Sequence, residues 1–154
     1  MTSTRFALAV HVAALLAHAG PEPVTSETMA ASVKTNPVVV RRVLGMLRER
    51  GIVESHRGTG GGWWLARAPE TVGLDEIYRC TERGPALAVP RRAADPSCPV
   101  GRHIQQVLLS TFAEAEAALE ARLARETVAS LVHRVLPPGR QDAAGSGAPP
   151  RNNS

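Results

Sequence analysis

The apolar positions of this chain change period three times, and the changes predict its elements. Residues 6–19 are almost continuously apolar, in a helical pattern broken only by His11 and His18. They predict a first helix, capped by Thr2 or Ser3 and stopped by Gly20, Pro21 and Pro23. A short second helix, SETMAASV, starts at Thr25 or Ser26 without a capping box. A third runs from Pro37, a residue suited to a first helical turn, to about Arg50, where Gly51 stops it. Asn36 is its expected N-cap. Val40, Val43, Leu44 and Leu47 follow the helical period and point inward. The opposite face carries Val38, Arg42, Gly45 and Glu49, with Arg41 and Arg48 on one flank.

The period then shortens to two. Residues 52–55 and 63–66 read as two strands, with Trp63 and Leu65 on one face and Trp64 and Ala66 on the other. Between them lies GTGGG, a tip that cannot bury a core but can bend sharply and approach another molecule closely. Leu74, Ile77 and Tyr78 mark a short fourth helix. Residues 83–96 form a loop with three prolines. A long helix starts near Pro99, with Ile104, Leu108, Phe112, Ala115, Leu119 and Leu123 as an apolar stripe. Val128, Leu131, Val132 and Val135 extend it after a bend. No partner domain remains to cover that stripe, so either a second subunit covers it or the helix folds back on the first and fourth helices. The pattern divides the chain into a helix-turn-helix with a wing (1–82), a loop (83–98), a dimerisation helix (99–136) and a disordered tail (137–154). The fold class is mainly α with a small β-hairpin.

Composition sharpens this picture. The chain has 154 residues, 44% of them apolar but only 3% aromatic, so its core rests on Leu, Val and Ala. The net charge is only +4. Between Lys34 and Arg67, however, seven basic residues face two acidic ones. A basic helix and hairpin of this kind favour a polyanion. Two cysteines are too few for a disulfide framework, no secretory leader is recognisable, and residues 6–19 are too short to span a bilayer. A cytoplasmic protein without a membrane partner is expected. The histidines at 11, 18, 56, 103 and 133 show neither metal spacing nor a triad, so no enzyme and no metal site is expected. GTGGG is followed by no GK[ST] and opens no helix, which argues against a nucleotide loop.

A helix-turn-helix places its second helix in the major groove with the N-terminal residues at base edges. Thr35, Asn36, Val38 and Arg42 are then the candidate readers. Arg41, Arg48 and Arg57 are expected on phosphates, and Gly58, Thr59, Gly60 and Gly61 at the minor groove or along the backbone. Trp64 packs either on the sugar–phosphate backbone or on the long helix.

The string TNPVVVRRVLGMLRERGIVESHRGTGGGWWLAR, followed by VGLDEIYR, resembles the Rrf-two (Rrf2) family of bacterial transcription regulators. The resemblance covers roughly residues 3–135. It implies a homodimer that binds palindromic operators in double-stranded DNA, usually as a repressor, with the long helix as its interface (Ile104, Leu108, Phe112, Ala115, Leu119). Cluster-binding members carry three cysteines in the loop before that helix, whereas this chain has only Cys98 there. Cys80 lies on the fourth helix. No iron–sulfur cluster and no other cofactor is expected. Cys98, at the N-cap position before Pro99, is either a redox-sensing thiol or a packing residue. A reading of another class remains open, that of a winged-helix protein-interaction module that does not bind DNA.

Overall fold

The computed structural model describes residues 4–82 and 84–137. The cap expected at Thr2 or Ser3, loop residue Arg83 and the tail from 138 onward lie outside the described residues. The elements, in order, are α1 (Thr4–Ala19), α2 (Ser26–Val33), α3 (Pro37–Glu49), β1 (Val53–His56), β2 (Gly62–Leu65), a 3-10 turn (Pro69–Thr71), α4 (Leu74–Thr81), α5 (Gly101–Leu123) and α6 (Val128–Val135).

The core is aliphatic, as the scarcity of aromatics requires. Ala9, Val12, Ala13 and Leu16 of α1 are buried against Met29 and Ala30 of α2, and against Val40, Val43, Leu44 and Leu47 of α3. Ile52, Val53, Val72, Leu74, Ile77 and Val128 complete it. The alanines let α1 lie close to four helices at once: α2, α3, α4 and α6. Phe6 and Tyr78 meet edge to face at 5.4 Å, tying the start of α1 to α4.

Local chemistry sets the boundaries. Thr25 is extended and its hydroxyl accepts the Thr28 amide, which opens α2. Lys34 closes α2 in the left-handed region at φ 52°. Asn36 caps α3 as expected, its Oδ1 accepting the Val38 amide at 2.8 Å. Gly51 ends α3 at φ 64°. The strands pair antiparallel in the register Val53↔Leu65, Glu54↔Trp64, Ser55↔Trp63 and His56↔Gly62. β1 lies one residue later than its expected bounds and β2 one residue earlier.

The C-terminal half departs from expectation. The regular long helix is α5 alone, and residues 128–135 do not extend it. They form a separate helix, α6, that returns to pack on α1. The break is a cap. The Thr127 hydroxyl accepts the Ser130 amide at 3.1 Å, and the Ser130 hydroxyl accepts the Thr127 amide at 3.0 Å. Backbone bonds from Leu74 N to Glu126 O (3.0 Å) and from Val128 N to Val72 O (2.9 Å) pin this turn beside α4. Val128 is thereby fully buried. The expected dimerisation helix 99–136 is therefore two elements, and the second belongs to the core.

Leu44 is fully buried while Val38, six residues earlier on the same helix, is 56% exposed. Leu44→Ala is expected to cost about 2–5 kcal/mol in urea unfolding. Val38→Ala is expected to stay within about 0.5 kcal/mol.

Candidate nucleic-acid interface

Burial of Val40, Val43, Leu44 and Leu47 fixes the rotation of α3. Its outer face then presents Val38, Val39, Arg42 and Glu49 to solvent. Val38 and Arg42 stand where the sequence put them, exposed and one turn apart. Arg42 has no ion-pair partner among the described residues, and the same holds for Lys34 and Arg57. With Arg50, which is also exposed and outside every ion pair, these are the basic groups of the 34–67 segment left without a partner among the described residues.

The other candidate positions are constrained. Asn36 spends its carbonyl oxygen on the helix cap, which leaves only its amide NH2 to donate outward. Thr35 is half-buried in the α2–α3 turn, and its amide bonds to Ala30 O. It lines a shallow depression with Arg5, His11 and Lys34. Arg5, at the start of α1, was missed because nothing in the sequence brings residue 5 to residue 34.

The two flanking arginines, expected on phosphates, each have a partner within the chain. Arg41 Nη1 donates to Glu27 Oε1 at 2.8 Å and to Ser26 Oγ at 3.2 Å. The Arg48 guanidinium lies over the Trp63 ring, 5.6 Å from its centroid, in a cation–π contact. Each joins α3 to a neighbouring element instead of standing alone. Arg67, counted in the basic segment, pairs with Glu76 of α4 at 2.8 Å.

Trp63 anchors the wing as well as touching Arg48. Its N–H and carbonyl exchange two 2.9 Å bonds with Val24, so the residue before α2 adds a bridge to the hairpin. The tip, 57–61, projects beyond it. Gly58 and Gly60 are at φ 106° and 76°, where a side chain is strained. A Cβ on Gly61 would strike the His56 carbonyl oxygen. Thr59 is exposed between these glycines. Trp64 is half-buried.

No residue of α5 is buried. Ile104, Val107, Leu109 and Leu119 are large apolar side chains open to solvent, Leu108 and Phe112 are half-buried, and Ala115 is exposed. Arg79 of α4 reaches Glu120 at 3.3 Å and also pairs with Asp75, which secures one side of α5 to α4.

Cys98 sits just before α5. The regular helix begins at Gly101, later than the expected Pro99, and no side chain caps it. The Cys98 carbonyl nevertheless accepts the Arg102 amide at 3.0 Å. Backbone N–H groups of Gly101 and Val100 donate to the exposed thiol and hold it below its ordinary range. Cys80 is opposite in character. Burial pushes its thiol up to about 11, and its Sγ–H donates to Ile77 O.

The comparisons with known proteins agree with this geometry. A family model described as "Rrf2: Iron-dependent Transcriptional regulator" matches residues 2–134. YwnA of Bacillus subtilis (strain 168), named as an HTH-type transcriptional regulator, is 34% identical over 136 residues, covering 88% of this chain and all of its own. A crystal structure titled as that of a DNA-binding protein is 34% identical with a TM-score of 0.67, over 83% of this chain and 98% of its own. IscR of T. potens shares the fold with a TM-score of 0.67 at 24% identity, over 88% of each chain.

The iron in the family's description raises a question of donors. A [2Fe–2S] centre takes four ligands. The loop offers one thiol, Cys98. Cys80 is on α4, partly buried and held protonated. Among the described residues no group of three His, Cys, Asp or Glu is placed to hold a metal ion. The residues present do not fit a cluster.

The two thiols are expected to separate on alkylation at neutral pH. Cys98, with its lowered value, carries the larger thiolate fraction and reacts first. Cys80 should react only as the pH approaches 11 or the chain unfolds. Mass spectrometry of iodoacetamide-treated protein checks the order, and equal rates would contradict it.

Proposed function

The chain belongs to the Rrf2 family of transcriptional regulators, and from that premise we propose that it is a homodimeric repressor that reads a palindromic operator. Val38 and Arg42 of α3 enter the major groove, and Lys34, Arg57 and the 58–61 tip lie along phosphates. Arg42 donates two bonds to a guanine and Val38 meets a thymine methyl.

The observation that carries the dimer is α5. A 23-residue helix with no buried residue is about 34 Å of half-apolar surface open to water. Each fully buried aliphatic side chain is worth about 1.5–3 kcal/mol, so leaving Ile104 and Leu119 exposed and Leu108 and Phe112 half-covered forfeits part of that gain. The same helix from a second copy covers them with isologous contacts. Two α3 helices related by that axis then address half-sites about 34–36 Å apart.

The thiol at the head of α5 supplies a response. Its thiolate attacks a peroxide oxygen, the O–O bond breaks, and a sulfenic acid forms as hydroxide leaves and takes a proton from solvent. This happens in the loop that leads into the dimer helix, where a change of charge and size alters the approach of the two copies.

Selection of bound DNA from a random pool tests the reading. A palindrome is expected, with affinity falling about 10³-fold or more between 50 and 200 mM salt. Arg42→Ala should weaken binding tenfold or more. Peroxide should weaken it in the parent protein and not in Cys98→Ser, and an unchanged parent would remove the thiol response. Affinity indifferent to salt and to Arg42→Ala would support an interaction module instead. In sedimentation equilibrium, Leu108→Asp with Phe112→Asp should give monomers that keep the parent's helical content. A parent protein that is already monomeric would overturn the dimer.

A further inference from the structure

Arg41 stands in a closed three-member network. Its Nη1 donates to Glu27 Oε1 (2.8 Å) and to Ser26 Oγ (3.2 Å), and the Ser26 hydroxyl donates to Glu27 Oε2 (3.1 Å). Ser26 is buried, so the network is anchored in the first turn of α2. The Glu27 carboxyl lies below its ordinary range, chiefly through its own backbone amide and the Ser26 hydroxyl, so it stays charged at neutral pH. Nη1 alone is engaged. Nε and Nη2 have no partner among the described residues, and half of the side chain remains open to solvent. Arg41 follows Val38 by three residues and therefore lies above it on the helix surface. It belongs to the N-terminal half of α3, the half that a helix-turn-helix turns to base edges.

Stability does not account for this arrangement, since an exposed ion pair contributes about 0–1 kcal/mol. A phosphate ligand does not need it either. A carboxylate beside the guanidinium weakens its pull on an anion, and a mobile arginine serves a phosphate well. A guanine edge is different. It is uncharged, presents the O6 and N7 acceptors, and takes two donors of a fixed fork. Fixing the fork in advance lowers the ordering cost of that contact.

We propose that Ser26 and Glu27 hold Arg41 as a second guanine reader, so that Glu27 determines specificity without touching a base. This rests on the DNA-binding reading and revises the phosphate role that the sequence suggested for Arg41.

The test is DNA selection with the full chain, followed by titration of the selected site and its single-base variants. The parent, Arg41→Ala, Arg41→Lys and Glu27→Gln are compared, with thermal unfolding to verify that each is folded. The parent should require a guanine at one position in each half-site beyond that lost in Arg42→Ala. Arg41→Ala and Arg41→Lys should both lose that preference, by about tenfold or more, while the other positions stay selective. Glu27→Gln should relax the same position and no other. Uniform weakening by Arg41→Ala across all sequences, with the salt slope reduced by about one, would mark a phosphate contact and overturn the proposal. Uniform tightening by Glu27→Gln with the guanine retained would also overturn it. A parent that binds no DNA at all defeats the underlying reading, and that outcome is distinct from the other two.

Discussion

The burial of one face of α3 against α1 constrains everything else in this molecule. Val40, Val43, Leu44 and Leu47 are the inward apolar stripe of α3, and all four are excluded from water. A helix locked at that face has no freedom of rotation. Which side chains look outward follows from the 100° step between residues, so the core and the recognition surface are two consequences of one pattern. The small side chains of α1 make this possible. Ala9 and Ala13 allow the backbones to approach, and a chain this poor in aromatics has few bulky residues with which to bridge a wider gap.

Once α3 is fixed, its arginines divide by what lies beside them. Arg42 faces no other element and stays free. Arg41 faces the start of α2 and is held by Ser26 and Glu27. Arg48 faces the wing and lies over Trp63, which is itself bonded to Val24. The recognition helix is thus joined at its N-terminal half to α2 and near its C-terminal end to the hairpin. A DNA-binding unit gains from this, because an interface assembled before binding pays less ordering entropy on contact. Formal charge overstated the patch. Three of its seven basic residues have a partner within the chain, and the number of phosphates such a surface can neutralise is correspondingly smaller.

Much of this was legible in the sequence, where local rules decide. Asn36 before Pro37, and Gly51 after the last turn, mark the ends of α3 through capping chemistry that acts within a few residues. The inward stripe needed only periodicity. The glycine tip needed only the backbone geometry of a tight turn. What escaped depends on distance. Glu27 and Arg41 are fourteen residues apart, and nothing in their neighbourhoods announces a bond. Arg5 approaches Lys34 only because α1 crosses the turn. The end of α5 escaped for a different reason. Residues 124–127 contain neither Gly nor Pro, and the Thr127–Ser130 cap uses serine where glutamate or glutamine is the usual partner. The apolar spacing of 128–135 is helical either way, and only the backbone bonds to Val72 and Leu74 show that it has turned back.

That turn changes what α5 must be. While residues 128–135 counted as its continuation, the long helix could be covered either by a second subunit or by folding back on the first and fourth helices. The structure commits α6 to α1 instead, with Val128 wholly inside the core. It leaves α5 attached through α4 along one side and bare along the other. A short loop extension could shed such a surface at little cost, but the chain ties it down at both ends. Arg79 holds Glu120 near the C-terminal end, and Gln105 Nε2 donates to Pro90 O near the start. An apolar face held rigid in water loses both the hydrophobic gain and the entropy that mobility would have kept. The proposed second copy would cover that face and recover the loss. Because the 84–100 loop leads into this helix, chemistry at Cys98 falls at the edge of the same surface. In the proposed dimer, the thiol and the surface that assembles therefore meet at the first turn of α5.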